Sequence, residues 1–499
     1  MKRSHLIAAF LGCLAVTFAL YARTFGFDWT YDDFMVIVDN PDVLSWQQFL
    51  ADSYPGRPLR ELTYLFDHTL FGLNPAGWRI QHLFWHALCG FLLLELCRRM
   101  SGQISIGIFA AMLFLVHPLQ VEVAANLSHR KDSLAVAFCL LALLAWVRSF
   151  AGEQPGWWRV GSLLAWGVAL TAKENTIVLP LLCLLYEWQF VPVEKRFLLR
   201  LPRAAVVYPV AIVIAGGLWC WQQGGVANYR AYVGHLLEKL EYFGPAELDT
   251  YLRAMLKSWA FMAIRLAWPA DLAVEYIYPV PASWGDPWVL GGLALLALLG
   301  ALFAGGLRFS RPWLAFWGGW LIVFWLPTSN LWPMVYFAAD RYLYPFVAGA
   351  AALLGWWLHG LLRRDALLLA VGAAICLPLA LVSWQQSGTW RDDDTLHRHA
   401  LAISPESSFL NNELGKIAEK RGDGPGAMDY YRAALGRNPR NAAAHYNLGQ
   451  LYERSGFLPK ALEHYQQFLR DDTPAYQEAA RELVERLRRQ HGLVFKGRS

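Results

Sequence analysis

The residues best placed to do chemistry in this 499-residue chain are two adjacent carboxylates, Asp32 and Asp33. They follow the first apolar segment, within the aromatic sequence Phe27-Asp28-Trp29-Thr30-Tyr31-Asp32-Asp33-Phe34. Near a boundary of low dielectric constant, like charges raise each other's pKa unless a cation or a metal compensates. A carboxylate in that state can act as a general base. The alternative is a helix N-cap or a solvated turn, and the aromatic frame favours the functional interpretation.

Charged side chains and tyrosines recur in further stretches between apolar segments. Arginine can hold a phosphate through two parallel hydrogen bonds, or it can simply extend its head to the interface. Ion pairs such as Glu122 with Arg130, or Lys173 with Glu174, would order these loops without doing chemistry. The tyrosines fit interfacial anchoring equally well. The candidate substrate-binding residues are Arg57, Arg60, His117, Glu122, Arg130, Asp132, Lys173, Glu174, Tyr336, Asp340, Arg341 and Tyr342.

No metal site is predicted. His82 and His86 are four residues apart and share one helix face, but two ligands are too few for a metal. The pair Asp32 and Asp33 permits a divalent ion without requiring one, and no other cofactor is indicated. The seven cysteines lie in apolar stretches without ligand spacing, as small packing residues do.

The elements that position these residues are apolar segments. Hydrophobic residues make up 56% of the chain and charged residues 17%, against about 25% charged in soluble domains. The net charge of +5 contains no basic run, which excludes nucleic acid as a partner. Eleven membrane spans are predicted, at about 6–22, 82–97, 104–116, 133–147, 160–172, 176–190, 204–221, 288–305, 313–326, 342–361 and 366–384.

Every second connection between these segments carries Lys or Arg, which predicts that those connections face the cytoplasm. The first segment follows Lys2 and Arg3 and is predicted to be an uncleaved anchor, because no small-residue cleavage site follows it. The N-terminus is then cytoplasmic, and an odd number of spans places the C-terminus outside. The segment 251–268 would break the alternation, so we predict an interfacial helix on the outer side.

A 34-residue repeat begins after Trp390, where the chain becomes polar and rich in alanine. This period, with small residues where two helices touch and a proline between units, is typical of tetratricopeptide repeats (TPRs). We predict a TPR domain at 391–490, with a half-repeat, two repeats and a capping helix. The recurring pairs are Pro405 and Pro439, Leu414-Gly415 and Leu448-Gly449, Gly422 and Gly456, Ala427 and Ala461, Tyr431 and Tyr465, and Leu435 and Leu469.

Taken in order, these motifs resemble the transmembrane-and-TPR-containing proteins, a branch of the GT-C glycosyltransferases that includes protein O-mannosyltransferases. The resemblance covers nearly the whole chain. The matching pieces are Tyr31-Asp32-Asp33, Asn40-Pro41-Asp42-Val43, Arg57-Pro58-Leu59, His117-Pro118, Val121-Glu122, Arg130-Lys131-Asp132-Ser133-Leu134, Lys173-Glu174, Asp340-Arg341-Tyr342 and the TPR tail.

The resemblance implies an all-α fold, with a GT-C-like membrane domain over residues 1–386 that includes an outer loop at 23–81, followed by the TPR solenoid. It implies a bacterial inner-membrane enzyme that moves a sugar from a polyprenyl phosphate in the membrane lipid to a hydroxyl acceptor outside the cytoplasm. Asp33 or Asp32 would take the hydroxyl proton, and the anomeric configuration would invert. Lys173, Arg57 and Arg341 would stabilise the departing phosphate. The TPRs would bind a protein or peptide acceptor.

Three other functions remain open at this point. A membrane scaffold would bind proteins through its TPRs without catalysis. A lipid-linked glycan polymerase or ligase would share the outer face and the carrier but use a glycan acceptor. A transporter is disfavoured, because its charges would lie near the membrane midplane.

Overall fold

The computed structural model describes residues 3–52, 57–151, 154–198, 247–277, 281–331, 334, 336–469, 481–486 and 489. The regular structure in these ranges is helical, and no β-strand occurs in them, which confirms the predicted all-α class. The chain divides into two compact units. The first comprises Met1–Leu272 and Pro279–Arg391, and the second comprises Ala273–Tyr278 and Asp392–Ser499.

The first unit is built from helices joined by short 3₁₀ segments. In chain order they are α1 (Arg3–Leu20), α2 (Trp46–Asp52), α3 (Pro58–Phe71), α4 (Pro75–Ser101), α5 (Ile104–Val116), α6 (Val121–Ala125), α7 (Arg130–Arg148), α8 (Pro155–Ala172), α9 (Leu179–Phe190), α10 (Glu247–Ala267), α11 (Pro287–Arg308), α12 (Pro312–Trp325), α13 (Tyr344–Leu362) and α14 (Asp365–Ser387).

Several of these helices have the length and composition of membrane spans. Four stretches qualify, namely Pro75–Ser101, Pro287–Arg308, Asp340–Leu362 and Asp365–Trp390, and the bent pair Ile104–Val116 and Pro118–Ala125 makes a fifth if it is one span. The chain is therefore a multi-pass membrane protein. Other predicted spans, such as 133–147 and 176–190, are formed by helices that are shorter or more charged, here α7 and α9. The predicted span 204–221 lies outside the described residues.

The predicted outer loop is folded rather than extended. A π-helical turn at Phe34–Val38, a 3₁₀ turn at Pro41–Val43 and helices α2 and α3 lie within it. Its apolar side chains form a buried cluster that also takes in Leu127 from the loop before α7, and the other members of that cluster are Ile37, Val43, Tyr64 and Trp78. Because burial of apolar surface is the main favourable term in folding, this cluster fixes the two loops against each other.

The segment predicted to be interfacial forms helix α10. Its apolar face is packed, with Tyr251, Met255 and Trp259 in a buried cluster that includes Val289 of α11. Arg253 and Lys257, which excluded this segment from the predicted spans, are both buried. The Arg253 guanidinium is paired with Asp249 at 2.7 Å one turn earlier.

The second unit contains the repeats. Its helices are α15 (Asp393–Ile403), α16 (Ser408–Lys420), α17 (Gly424–Arg437), α18 (Ala442–Arg454) and α19 (Leu458–Phe468). Within each repeat a glycine lets a tyrosine ring lie directly on the backbone. A Cβ added at Gly415 would lie 2.5 Å from the ring of Tyr431, and one at Gly449 would lie 2.6 Å from the ring of Tyr465. The tyrosines' hydroxyl groups donate to Glu419 at 2.8 Å and Glu453 at 2.7 Å, so the 34-residue period recurs in the contacts.

A short segment from the middle of the chain belongs to this second unit. The carboxyl of Glu275 is buried and accepts a hydrogen bond from the Ser407 hydroxyl at 2.8 Å. The Ser404 hydroxyl donates to the Glu275 carbonyl at 3.1 Å and accepts from the Ile277 amide at 3.2 Å. Burial raises the pKa of Glu275 to about 7.

This carboxyl should make the protection of the segment depend on pH. Since its pKa is about 7 in the folded protein and 4.5 ordinarily, the folded state binds more protons between these values, and the stabilisation is lost as pH rises through about 7. We expect the Ile277 amide to exchange hydrogen faster, relative to its intrinsic rate, at about pH 8 than at about pH 5. Glu275→Gln should remove that difference, and equal protection at both pH values in the unsubstituted protein would contradict the expectation.

Candidate active site

Asp33 joins the outer loop to the loop before α7. It is fully buried, and its two carboxylate oxygens accept hydrogen bonds from the backbone amides of Ser128 at 2.7 Å and Thr30 at 3.2 Å. Burial raises the pKa of Asp33 to about 7, although the Arg79 guanidinium and the two amides act to lower it. Because both oxygens are occupied, Asp33 is placed to hold the loops in position.

Asp32 is the more accessible of the two carboxylates. It is half-buried, and its side chain makes no hydrogen bond or ion pair with any residue of the described ranges. The backbone turns just before it, where Tyr31 has a φ of 56° in the left-handed region, a conformation that is uncommon for a bulky residue. The Tyr31 hydroxyl lies 3.1 Å from that of Tyr336. The turn therefore buries one carboxylate and leaves its neighbour available.

Glu122 connects α6 to the 3₁₀ turn Asp340–Leu343 before α13. Its carboxylate forms a buried ion pair with the Arg341 guanidinium and accepts the Arg341 backbone amide at 2.8 Å. The guanidinium lies over the rings of Tyr336 and Tyr342, at 5.2 and 5.4 Å. The Tyr342 hydroxyl donates to the Tyr336 carbonyl at 3.3 Å. Asp340 is also buried, at the start of the 3₁₀ turn Asp340–Leu343.

Asp132 and Lys173 form a second buried ion pair, with 2.5 Å between carboxylate oxygen and ammonium nitrogen. The His129 ring links the two pairs, since its nitrogens lie 3.6 Å from Asp132 on one side and 3.6 Å from Glu122 on the other. Four of the predicted residues, Glu122, Asp132, Lys173 and Arg341, are thus connected through His129, although they come from stretches as much as 219 residues apart.

These contacts join the residues in a ring that is completed by neighbours along the chain, Lys131 with Asp132 and Tyr31 with Asp32 and Asp33. From Asp33 it runs through the Ser128 amide, then from the Ser128 carbonyl to the ammonium of Lys131 at 3.4 Å. From the adjacent Asp132 it passes through His129, Glu122 and Arg341 to Tyr336, and returns through Tyr31 to Asp32. We call this set the contact ring, and it is the candidate active site.

Two further cations lie beside the contact ring. The Arg57 guanidinium pairs with Glu174 at 3.1 Å, and the Glu174 side chain is 45% exposed. Arg60 is buried against Glu61, with 2.5 Å between guanidinium and carboxylate. Arg57, Arg60 and Lys173 all lie near enough to Lys131 to repel its charge. The structure therefore gathers four cations from α3, α7 and the turn after α8.

The suggested ion pair between Glu122 and Arg130 is wrong. Arg130 is fully buried and pairs instead with Asp67 of α3 at 2.6 Å. It also donates to Gln81 at 2.6 Å and to the Trp78 carbonyl at 3.0 Å, and its guanidinium lies 4.9 Å from the centre of the Tyr64 ring. These partners tie α7 to α3 and α4, so Arg130 supports the site rather than facing it.

His117 has internal partners for both ring nitrogens. Nδ1 accepts the Leu119 amide at 3.3 Å, so Nε2 carries the proton that is donated to the Leu266 carbonyl at 3.1 Å. His82 and His86 also have partners, at the Val123 carbonyl (2.7 Å) and the Tyr344 hydroxyl (2.8 Å). In the part of the chain that the structure describes, no three His, Cys, Asp or Glu side chains are arranged to hold a metal ion.

The predicted set lacked several residues of this region. Arg79 is fully buried and donates to the carbonyls of Ala125 at 2.7 Å and Asp28 at 3.1 Å, which places its charge beside Asp33. Asp67, His129 and Lys131 were also absent from it. The sequence does carry a signal for them, because each is an ionisable residue in a stretch that already held a predicted site residue.

Comparisons with known proteins place this arrangement in context. Residues 60–221 match the family model described as dolichyl-phosphate-mannose-protein mannosyltransferase, and residues 412–476 match a tetratricopeptide repeat model. The chain is 26% identical over 494 residues to protein O-mannosyl-transferase TMTC4 of Mus musculus, with 84% of this chain and 65% of that protein covered.

Other similar proteins carry the same name, protein O-mannosyl-transferase. TMTC4 of Homo sapiens is 24% identical, with 84% of this chain and 64% of that protein covered. Protein O-mannosyl-transferase TMTC2 of Homo sapiens is 27% identical over 35% of this chain and 23% of its own length. The chain thus spans about two thirds of the length of the TMTC4 relatives. The resemblance predicted from the motifs is confirmed: this chain is a relative of the transmembrane-and-TPR-containing protein O-mannosyltransferases.

Proposed function

We propose that this protein transfers a sugar from a polyprenyl-phosphate carrier to a hydroxyl group of a protein acceptor outside the cytoplasm. The observation that carries the proposal is the contact ring, in which Asp32 lies in the same set as Lys131 and Arg341, with Lys173 paired to its Asp132. The Asp32 side chain makes no hydrogen bond or ion pair with another described residue. Transfer from a phosphate carrier needs a base for the acceptor and positive charge for the leaving group. The sugar named for the relatives is mannose, and we extend it to this chain as the first donor to test.

In the proposed step, the acceptor oxygen forms a bond to the anomeric carbon on the face opposite the phosphate. The bond between that carbon and the phosphate oxygen breaks, and its electron pair leaves with the phosphate. The hydroxyl proton passes to Asp32, and the configuration inverts. Asp33 holds this carboxylate in place through Ser128 and Thr30, and we assign it a positioning role.

Charge on the phosphate increases as the bond breaks, because a phosphodiester with one negative charge becomes a monoester with up to two. Cations aimed at that developing charge lower the barrier. Lys173 and Arg57 supply positive charge beside the contact ring, and Arg341 supplies it from the 3₁₀ turn before α13. The carboxylates paired with these cations keep them oriented while the site is empty of donor.

For the membrane topology we propose the GT-C type with eleven spans. Ten of the predicted spans fall on described helices, although several are too short or too charged to qualify by length and composition alone. Basic residues in alternate connections support a cytoplasmic N-terminus. The odd number of spans then places the repeats outside the cytoplasm, where their concave surface would bind the acceptor protein. The location in a bacterial inner membrane, which the resemblance implies, is part of the same proposal.

The proposal is tested by reconstitution of the full chain in liposomes with radiolabelled polyprenyl-phosphate mannose and candidate acceptor proteins. We expect label in O-linked, base-releasable form on the acceptor. Transfer to a glycan acceptor alone would favour a polymerase or ligase. Absence of transfer from any polyprenyl-linked sugar to any acceptor would leave a TPR scaffold as the function.

A further inference from the structure

Lys131 is a buried lysine that forms no ion pair with a carboxylate of the described residues. It lies at the start of α7 and is 7% exposed. Its ammonium has one hydrogen bond, to the Ser128 carbonyl at 3.4 Å, and no ion pair within the described ranges. The adjacent Asp132 is engaged by Lys173 at 2.5 Å. By contrast, Arg57, Arg60 and Lys173 each have an acidic partner.

This arrangement is unfavourable for the protein alone. Removing an ammonium from water costs several kcal/mol, and a nearby countercharge must offset that cost. Burial and three nearby cations, Arg57, Arg60 and Lys173, disfavour the charged form of Lys131, and the adjacent Asp132 acts in the opposite direction. A side chain used only for packing would be better served by methionine, so an anionic ligand is the simplest reason for a lysine here.

We propose that Lys131 binds the phosphate of the polyprenyl-linked donor directly. The inference rests on the proposed function and names the residue that would hold the leaving group. An ammonium suits a phosphate because it offers a compact charge and three donors. Lys173 and Arg57 flank it, and they would share the remaining phosphate oxygens.

The position of Lys131 relative to the base supports this assignment. Ser128 links Lys131 to the residue that positions the base, since its amide donates to Asp33 and its carbonyl accepts from Lys131. Ser128 lies in the 3₁₀ turn Leu127–His129, and its amide also donates to the side chain of the N-cap residue Asn126 at 2.9 Å. One short turn therefore links the Asp32–Asp33 pair to the ammonium. The reaction needs such a fixed separation, because the base lies on one side of the sugar and the phosphate on the other.

The test is binding of polyprenyl phosphate that carries no sugar, measured on the full chain in nanodiscs. Loss of one charge-assisted contact should weaken binding of this ligand by roughly 10-fold to 100-fold in Lys131→Met, while Lys131→Arg should retain most of it. The matched control is Lys195→Met, an exposed lysine of a predicted cytoplasmic connection, and its affinity should be unchanged. Binding by Lys131→Met equal to the unsubstituted protein would overturn the proposal.

Two further measurements separate a phosphate site from a structural lysine. Polyprenol, which lacks the phosphate, should bind both proteins alike, and an equal loss of polyprenol binding in the variant would overturn the proposal. The midpoint of thermal unfolding of Lys131→Met without ligand should be equal to or higher than that of the unsubstituted protein, because a buried amine with one long hydrogen bond is replaced by an apolar side chain. A clearly lower midpoint would assign Lys131 to the fold instead.

A nanodisc series with phosphatidylglycerol distinguishes the source of the bound phosphate. Binding that depends on Lys131 for phosphatidylglycerol alone, and not for polyprenyl phosphate, would also contradict the proposal.

These measurements do not require sugar transfer. Lys131-dependent binding without transfer by the unsubstituted protein would refute the proposed function and leave the phosphate site standing. Transfer that survives in Lys131→Met with unchanged affinity for polyprenyl phosphate would refute the site alone.

Discussion

Asp32→Asn is expected to lower the rate of sugar transfer by roughly two to four orders of magnitude without loss of folded protein. The amide cannot accept the acceptor's proton, yet it has nearly the same shape. Because the Asp32 side chain has no hydrogen bond or ion pair to another described residue, no internal contact is broken. The measurement is kcat/KM for the polyprenyl-linked donor, together with the midpoint of thermal unfolding.

Asp33→Asn is the matched comparison and should behave differently. Its side chain faces two backbone amides, at Ser128 and Thr30, and an asparagine has one carbonyl oxygen for both. One amide then loses its acceptor, which costs about 1–3 kcal/mol. We expect a lower unfolding midpoint and a smaller loss of rate than in Asp32→Asn. A full loss of transfer in Asp33→Asn, with Asp32→Asn still active, would assign the base to Asp33 instead.

Asp67→Ala is expected to destabilise the first unit by about 3–5 kcal/mol, since it leaves the buried guanidinium of Arg130 without its carboxylate. The pair is fully enclosed, with 2.6 Å between the charged groups. The measurement is the free energy of unfolding in detergent, from the urea dependence of tryptophan fluorescence or from proteolysis. The double variant Asp67→Leu and Arg130→Met should recover much of the loss, because it removes both charges.

An exposed ion pair provides the control for that experiment. Glu406 and Arg437 pair with side chains 61% and 45% exposed, and such pairs contribute about 0–1 kcal/mol. Glu406→Ala should therefore leave stability nearly unchanged. An Asp67→Ala protein as stable as the Glu406→Ala protein would show that Arg130 finds another partner or water, and that its role in holding α3, α4 and α7 is small.

The helices and repeats were predictable because their signals are local. The apolar segment at 366–384 needed only its own residues to predict α14, and the period between Gly415 and Gly449 needed only the spacing. The buried glycine–tyrosine contacts explain why those residues recur. The same reasoning predicted a candidate site in the connections between apolar segments, because polar residues there are visible in the sequence.

The ion pairs within the site were not predictable. Several loops carry cations and several carry carboxylates, and the sequence alone does not show which cation lies next to which carboxylate. Glu122 was suggested to pair with Arg130, eight residues away, whereas its partner is Arg341, 219 residues away. Only the packing of α6 against the turn before α13 selects that partner. Lys131 was not predicted for the related reason that its neighbours Arg130 and Asp132 carry charges too. Its burial without an ion pair to another described residue is visible only in the structure.

The segment around Glu275 makes the repeat unit discontinuous in the chain, with consequences for work on isolated fragments. A recombinant fragment that starts at Asp392 would lack the partners of Ser404 and Ser407, and its first helices would expose a surface that the whole protein covers. Acceptor-binding studies on the repeats should therefore graft residues 273–277 onto the fragment through a linker. Without that graft, peptides could bind the vacated surface and be mistaken for acceptors.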